Sequence, residues 1–253
     1  MTRRLDGTVA LVTGASSGIG HATALELARE GASVALVGRR EDRLTGLAAE
    51  ISEAGGEALV VPADITTAQA AAEAVERTVE GLGRLDILVN NAGLMLLGPT
   101  PGADLNEWQR MVDINLMGLM YTSHAAIPHL VKAAADGPRR VADLVNISSL
   151  NGRNAYPMMA VYTATKFGVG GFSEALRQEL AGQHVRVSVV EPGSVDTELR
   201  GHNSEVVQQL LNAGLGDIER LQSQDIADAI GFIATRPRHV AVGELLVRPT
   251  QQA

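Results

Sequence analysis

The stretch TVALVTGASSGIG, residues 8–20, decides the fold. Its first half, residues 8–13, is a short run of apolar and β-branched residues, which is typical of a buried strand. Its second half contains Gly14, Gly18 and Gly20, and a helical pattern of apolar residues follows directly. A strand, a glycine-rich turn and a helix in this order predict the first unit of an α/β protein.

The rest of the chain repeats this alternation. Further strands are predicted at residues 33–37, 58–61, 85–89, 141–147, 185–190 and 244–247. Helices are predicted at residues 21–28, 41–54, 68–81, 104–135, 161–182 and 225–235, the longest of them kinked at Pro128. Because no linker or composition break divides the chain, we predict one Rossmann-type, doubly wound α/β domain over residues 1–253. Its mainly parallel sheet has about six or seven strands with helices on both faces, and residues 194–220 form a substrate loop.

Composition narrows the classes of function. The 253 residues carry a net charge of −8, which argues against nucleic acid or an anionic membrane as the main partner. The chain has no cysteine, so disulfides and thiolate metal sites are excluded, and the six histidines lack the spacing of metal ligands. With neither a signal peptide nor an apolar run of about 18 residues, we expect a cytoplasmic protein.

The glycines of the turn have separate physical roles. Gly14 lets the chain turn off the strand, Gly18 lets backbone N–H groups approach a pyrophosphate, and Gly20 lets the helix pack on the sheet. An ordinary glycine- and serine-rich loop is the alternative, but the position after the first strand favours a dinucleotide site. The expected cofactor contacts are Gly14, Ser16, Ser17, Gly18, Ile19 and Gly20.

The end of the second strand indicates which dinucleotide binds. Gly38 is followed by Arg39 and Arg40, where an NAD site usually has a carboxylate, whereas an arginine suits the 2′-phosphate of NADP. The alternative is that both arginines are solvated and that Glu41 or Asp42 binds the ribose. We explain these two acids as favourable charges in the first turn of a helix, and we predict NADP(H).

A second group of residues suggests acid–base chemistry. Tyr162 and Lys166 lie four residues apart, so they share one face of the predicted helix. Ser149 follows a buried strand, at the sheet edge where ligands bind in open α/β proteins. In isolation, Tyr162 and Lys166 are an ordinary surface pair; beside Ser149 and a nicotinamide site they are candidates for proton transfer.

Taken together, these motifs resemble the short-chain dehydrogenase/reductase family over nearly the whole chain, residues 5–247. The resemblance rests on TGASSGIG at residues 13–20, Asp64, NNAG at residues 90–93, Asn115, Ser149, YTATK at residues 162–166, and Pro192 with Gly193. Segments 94–99 and 196–202 are further similar to bacterial NADP-dependent reductases of the clavulanate (clavaldehyde) dehydrogenase type. The end of the chain, residues 244–250, departs from many members because it lacks a closing Asp-Gly-Gly.

The resemblance implies a role for each matching residue. Tyr162 exchanges a proton with the substrate oxygen, Ser149 hydrogen-bonds that oxygen, and Lys166 lowers the pKa of Tyr162. Asn115 bends its helix and holds a water in a proton relay, and residues 91–93 steady the central sheet. Further cofactor contacts implied are Asp64, Ile65, Asn91, Ala92, Gly93, Tyr162, Lys166, Pro192, Gly193, Val195 and Thr197. The helices at residues 104–135 and 161–182 are implied to form a dimer or tetramer.

The substrate is the least determined part of the prediction. Apolar residues after the strands suggest an adaptable pocket, with core packing as the alternative; the expected substrate contacts are Met95, Leu150, Asn151, Tyr156 and Met159. Because Arg153 is the only cation near Ser149 in the sequence, a highly charged substrate is not favoured. We therefore predict NADPH-dependent, reversible reduction of a small, largely apolar or neutral aldehyde or ketone. The alternatives are a cofactor-sensing regulatory protein and an NADP-dependent epimerase or dehydratase.

Overall fold

The strands form one continuous sheet. The computed structural model describes residues 3–203, 205, 207–209 and 218–252. In these residues seven parallel strands are ordered β3-β2-β1-β4-β5-β6-β7. They are β1 (Val9–Thr13), β2 (Ser33–Gly38), β3 (Ala58–Pro62), β4 (Ile87–Asn90), β5 (Ala142–Ile147), β6 (Val185–Pro192) and β7 (Glu244–Val247). The predicted parallel sheet is confirmed.

Helices cover both faces of the sheet. They are α1 (Gly18–Arg29), α2 (Glu41–Glu53), α3 (Ala68–Leu82), α4 (Leu105–Val112), α5 (Gly118–Asp136), α6 (Ala160–Leu180) and α7 (Ser223–Ala234). One core joins the sheet to α1, α2 and α7, and a second core joins it to α3, α5 and α6. This two-sided packing confirms the doubly wound α/β fold.

The composition of the strands follows from this burial. Along β1, Ala10 and Val12 enter the first core, whereas Leu11 between them enters the second. Successive side chains of a strand point to opposite faces, so a strand covered on both sides is apolar throughout. The unbroken apolar runs in the sequence therefore mark strands with two buried faces.

The order of the strands determines where a ligand can bind. The chain moves outward from β1 to β3 and then returns to pair β4 with the other side of β1. Such a switch point opens a crevice at the carboxyl ends of the strands. The glycine-rich turn after β1 and the NNAG motif after β4 meet there.

The long helix predicted at residues 104–135 is helical without a gap from Leu105 to Asp136, but it is not one regular α-helix. A π-helical turn, Asp113–Met117, separates α4 from α5. The interruption falls at Asn115, whereas Pro128 lies inside α5. Asn115 is 1% exposed and its side chain bonds to a neighbouring loop, as described below, which explains why the helix changes its hydrogen bonding there.

Buried amides connect the centre of the sheet to two helices. The Asn90 side chain donates to Asn146 Oδ1 at 2.9 Å and accepts from Thr122 Oγ1 at 2.6 Å. Asn146 in turn donates to Ser173 Oγ at 2.8 Å. The chain of bonds crosses β4, β5, α5 and α6. Asn91 extends it to β1, because its backbone N–H donates to Thr13 Oγ1 and its side-chain amide donates to the Thr13 carbonyl oxygen, both at 3.0 Å. Asn90 therefore acts together with the expected residues 91–93 in tying the central strands together.

The predicted substrate loop, residues 194–220, is only partly described. It contains a 3₁₀ turn, Glu198–His202, and an isolated bridge between Val195 and Leu221. Residues 204, 206 and 210–217 of this loop lie outside the described residues. Within the described chain, each helix is too short or too polar to cross a bilayer.

Candidate active site

A cavity of about 950 Å³ runs along the carboxyl ends of the strands. It connects the glycine-rich turn and the end of β2 to Ser149, Tyr162 and Lys166. Gly20 and Asn115 are outside its lining, and the other predicted site residues all line it. These are Gly14, Ser16, Ser17, Gly18, Ile19, Arg39, Arg40, Asp64, Ile65, Met95, Asn91, Ala92, Gly93, Ser149, Leu150, Asn151, Tyr156, Met159, Tyr162, Lys166, Pro192, Gly193, Val195 and Thr197.

The glycine-rich turn is too crowded for side chains. A Cβ atom on Gly14 would lie 2.8 Å from the Ala92 Cα, and one on Gly20 would lie 2.4 Å from the Gly14 carbonyl oxygen. Gly14 and Gly18 also have φ values of 67° and 56°, which L-residues with a Cβ adopt rarely. Glycine is therefore required for the backbone to fold this tightly beneath the cavity.

The start of α1 can receive an anion. This helix begins at Gly18, and its N-cap residue Ser17 makes no side-chain capping hydrogen bond. The first N–H groups of a helix have no partner within the helix, and with the helix dipole they attract phosphate. The turn, the helix end and the volume of the cavity fit the pyrophosphate and the two nucleosides of a nicotinamide dinucleotide.

A charged group that the sequence did not reveal lies near the end of β2. Arg40 donates to Ser16 Oγ at 3.1 Å and to Ser17 Oγ at 2.7 Å, and it bonds to Glu198 at 2.9 Å. Arg43 also bonds to Glu198, at 2.6 Å. These two arginines lower the pKa of Glu198 to about 2. Arg40 is thereby held in the protein, whereas Arg39 is exposed at the cavity.

Three reactive side chains, which follow β5 or lie on α6, line the same cavity. Ser149, Tyr162 and Lys166 are 9%, 6% and 6% exposed. Ser149 Oγ accepts from the Asn151 N–H at 3.1 Å, and the Ser149 hydroxyl also acts on the pKa of the Tyr162 phenol. Lys166 Nζ lies 5.8 Å from the centre of the Tyr162 ring and donates to the carbonyl oxygen of Ile147 at 2.9 Å. The strand β5 and the helix α6 therefore bring together residues that are distant in the sequence.

The electrostatics of this group differ from the expectation. Burial raises the pKa of Tyr162, and the interaction of the phenol with the Ser149 hydroxyl opposes this only in part. Burial also lowers the pKa of Lys166 to about 8. The net direction of the Tyr162 pKa is therefore opposite to the expected lowering, because desolvation disfavours the phenolate. Tyr162 is therefore a phenol at neutral pH, which suits it to donate a proton.

Asn115 binds protein groups with both atoms of its amide. Oδ1 accepts from the Leu94 N–H at 2.7 Å, and Nδ2 donates to the Leu94 carbonyl at 2.8 Å and to Thr165 Oγ1 at 3.2 Å. The residue thus ties the π-turn to the loop after β4 and to α6. Its expected contribution to a proton relay stays a prediction.

The substrate side of the cavity is apolar and is held by a residue that the sequence analysis missed. Leu97, Met158 and Val207 line it beside the predicted contacts. Asn203, 7% exposed, accepts from the Leu97 N–H at 2.7 Å and donates to the Met95 carbonyl at 3.0 Å. An isolated Asn in an irregular segment gives no signal in the sequence, because its partners lie more than 100 residues away.

The end of the chain also reaches the cavity. Gln251 and Gln252 line it, and Gln252 Oε1 accepts from the Ser194 N–H at 2.8 Å. The departure from the family pattern after residue 244 thus places two amides at the site. Arg153, the cation expected near Ser149, is instead outside the cavity lining and bonds to Glu191 at 2.5 Å and to Glu244.

Sequence comparison identifies relatives over the same residues that form this site. The family model described as short chain dehydrogenase matches residues 8–208. An uncharacterized oxidoreductase of Staphylococcus aureus strain USA300 is 36% identical over 245 residues, which are 97% of this chain and 98% of that protein. Glycine betaine reductase of Emericella nidulans is 37% identical over 248 residues, but the match covers 98% of this chain and only 19% of that much longer protein.

Solved structures show the same architecture. A serine dehydrogenase in its closed form with NADP+ superimposes with a TM-score of 0.87 at 31% identity, covering 97% of this chain and 96% of the other. The 3-ketoacyl-(acyl-carrier-protein) reductase of Brucella melitensis, complexed with NADH, gives 0.86 at 31% identity, covering 98% and 100%. The chain therefore belongs to the short-chain dehydrogenase/reductase family and is an oxidoreductase.

Proposed function

We propose that this enzyme transfers a hydride from NADPH to the carbonyl of a small aldehyde or ketone, reversibly. One observation carries this proposal: a single cavity connects the glycine-rich turn and Arg39 to the buried group of Ser149, Tyr162 and Lys166. The dinucleotide would contact the turn, Asp64, Ile65 and residues 91–93 at one end, and Pro192, Gly193, Val195 and Thr197 at the other.

The protein groups have separate tasks in this reaction. NADPH, when bound, supplies the hydride. Ser149 stabilises the negative charge that develops on the carbonyl oxygen, and Tyr162 gives its phenolic proton to that oxygen, so that an alcohol forms. Lys166, as a cation, stabilises the phenolate left on Tyr162. In the reverse direction Tyr162 takes the proton from the alcohol.

Two other functions remain as alternatives to test. A cofactor-sensing regulatory protein on this fold has no need of a buried Tyr–Lys–Ser group, and the presence of this group favours an enzyme. An NADP-dependent epimerase or dehydratase would use the same residues but would return the hydride to its product. Net consumption of NADPH separates that reaction from carbonyl reduction.

Arg39 should determine the preference for NADPH over NADH. With a panel of aldehydes and ketones, NADPH absorbance should fall in a 1:1 ratio with the alcohol formed, and NADPH should be used better than NADH. Arg39→Gln should raise the KM for NADPH about 10- to 100-fold, since it removes a charge-assisted contact with the 2′-phosphate, and should leave the KM for NADH unchanged. Arg29→Gln, at the far end of α1, is the control. Equal effects on both cofactors, or better use of NADH by the wild type, would contradict the role of Arg39.

The charge of Lys166 should determine how the rate of reduction depends on pH. Because the pKa of Lys166 is about 8, its charge is present below that pH and is lost above it. The pKa of Tyr162 is raised, so its proton stays available over the same range. We therefore expect kcat/KM for reduction to be level below about pH 8 and to fall above it. Lys166→Arg should move this fall to higher pH, and a rate that rises through pH 8 would contradict the assignment.

The helices of the predicted oligomer interface expose apolar surface. The helix α6, within the predicted interface, exposes 47% of Phe167. We propose that α4, α5 and α6, which correspond to the predicted helices 104–135 and 161–182, bury such exposed apolar surface in a dimer or tetramer. We also propose that the enzyme acts in the cytoplasm. Sedimentation showing a monomer at micromolar concentration would remove the assembly from the proposal.

A further inference from the structure

Arg200 differs from the other cations that line the cavity. Arg40 bonds to Ser16, Ser17 and Glu198, and Lys166 bonds to a backbone carbonyl. Arg200 is partly buried and lines the cavity, yet no described residue accepts a hydrogen bond from its guanidinium. Arg39 also lacks a described acceptor, but it is exposed.

The two arginines that lack an acceptor among the described residues follow different strands. Arg39 follows β2, which is three positions away from β5 in the sheet, or roughly 14 Å at the usual spacing of strands. The backbone carbonyl of Arg200 instead accepts from the Asn203 N–H and from its side-chain amide, both at 3.2 Å. The same side chain holds the Met95–Leu97 loop. The backbone of Arg200 is therefore tied to the loop after β4, on the substrate side of the cavity, while Glu198 in the same turn bonds to Arg40 near the end of β2.

Among the described residues, the charges near Arg200 do not offset the cost of its burial. Its pKa is lowered, first by burial and then by the like charge of Arg220, and the attraction of Asp196 offsets these only in part. A partly desolvated cation gains from an anion that enters the cavity. A guanidinium is particularly suited to this because its planar N–H groups bind both oxygens of a carboxylate.

We infer that the substrate carries a carboxylate, which Arg200 binds while the carbonyl lies at Ser149 and Tyr162. This inference rests on the proposed carbonyl reduction and makes its substrate class narrower. The apolar residues Met95, Leu97 and Met159 contact the part of the molecule between the two groups. The substrate is therefore an oxo acid with an apolar body, whereas the sequence indicated a largely neutral compound.

Matched pairs of substrates test the inference. Oxo acids of increasing chain length are compared with their methyl esters, in the wild type and in Arg200→Gln. The wild type should prefer the best acid to its ester by at least tenfold in kcat/KM. Arg200→Gln should lose about 10- to 100-fold on the acid, mainly through KM, and should keep the rate on the ester. Arg29→Gln, 62% exposed on α1, should match the wild type on both.

Binding measurements identify the source of the anion. The Kd for NADPH, followed by its fluorescence, should be the same in Arg200→Gln and the wild type, and a carboxylate without a carbonyl should protect only the wild type against thermal unfolding. An increased Kd for NADPH, with equal losses on acid and ester, would assign Arg200 to a cofactor phosphate and overturn the inference. Reduction of esters without preference for acids would overturn it and leave the proposed function standing, whereas no reduction of any carbonyl would overturn both.

Discussion

Tyr162→Phe should lower kcat for carbonyl reduction by about 10²- to 10⁴-fold, the usual contribution of a positioned proton donor. The substitution removes only the phenolic oxygen. The ring of Tyr162 is buried in a small apolar cluster with Leu96, Met111 and Val207, and it would remain there. The site would keep its shape and lose the group that gives a proton to the carbonyl oxygen.

Separate measurements distinguish lost chemistry from lost binding. NADPH should bind Tyr162→Phe within about twofold of the wild type, because most of the expected cofactor contacts lie outside Tyr162. Tyr121→Phe removes a phenol from α5, away from the cavity, and should turn over normally. Near-normal turnover by Tyr162→Phe would show that another group supplies the proton, and the proposed mechanism would then be wrong.

The sequence was sufficient for the features that depend on local patterns. Buried parallel strands are apolar on both sides, so strands such as Ala142–Ile147 could be recognised from short apolar runs. The glycine-rich turn and the spacing of Tyr162 and Lys166 are equally local. Because the carboxyl ends of parallel strands share one edge, the sequence also predicted that Ser149 and the turn would meet.

The features that were missed depend on contacts between distant segments. Asn203 and Glu198 act on partners about 106 and 158 positions away, and neither belongs to a recognisable motif. Arg200 and Arg153 both follow strands in the sequence. Only the structure shows that Arg153 is bound by Glu191 and that Arg200 lines the cavity. The direction of the Tyr162 pKa was also beyond the sequence, because desolvation depends on how completely the surroundings bury the group.

Arg186→Met should produce the largest loss of stability outside the active site. Arg186 is 6% exposed and binds both oxygens of Asp143, at 2.7 and 2.9 Å, where β6 pairs with β5. It also donates to carbonyl oxygens of the segment after α7, including that of Val240 at 2.7 Å. Within the described part of the chain, removing it would leave the fully buried carboxylate of Asp143 with Arg139 as its remaining cation, at 2.6 Å. Breaking a buried pair in this way costs about 3–5 kcal/mol, which lowers Tm on the order of 10 °C for a chain of this size.

A second substitution tests whether the cost comes from the charge left behind. Asp143→Leu combined with Arg186→Met should recover part of the lost stability in urea unfolding, because two apolar side chains can replace a buried ion pair. The carbonyl groups after α7 would still lack their donor, so recovery should be incomplete. Arg177→Met, which breaks an exposed pair with Glu174 on α6, should unfold like the wild type. Because Arg186 lies near the amino ends of the strands, opposite the cavity, kcat at low temperature should not change. Unfolding of Arg186→Met at the wild-type midpoint would show that the network contributes no net stability.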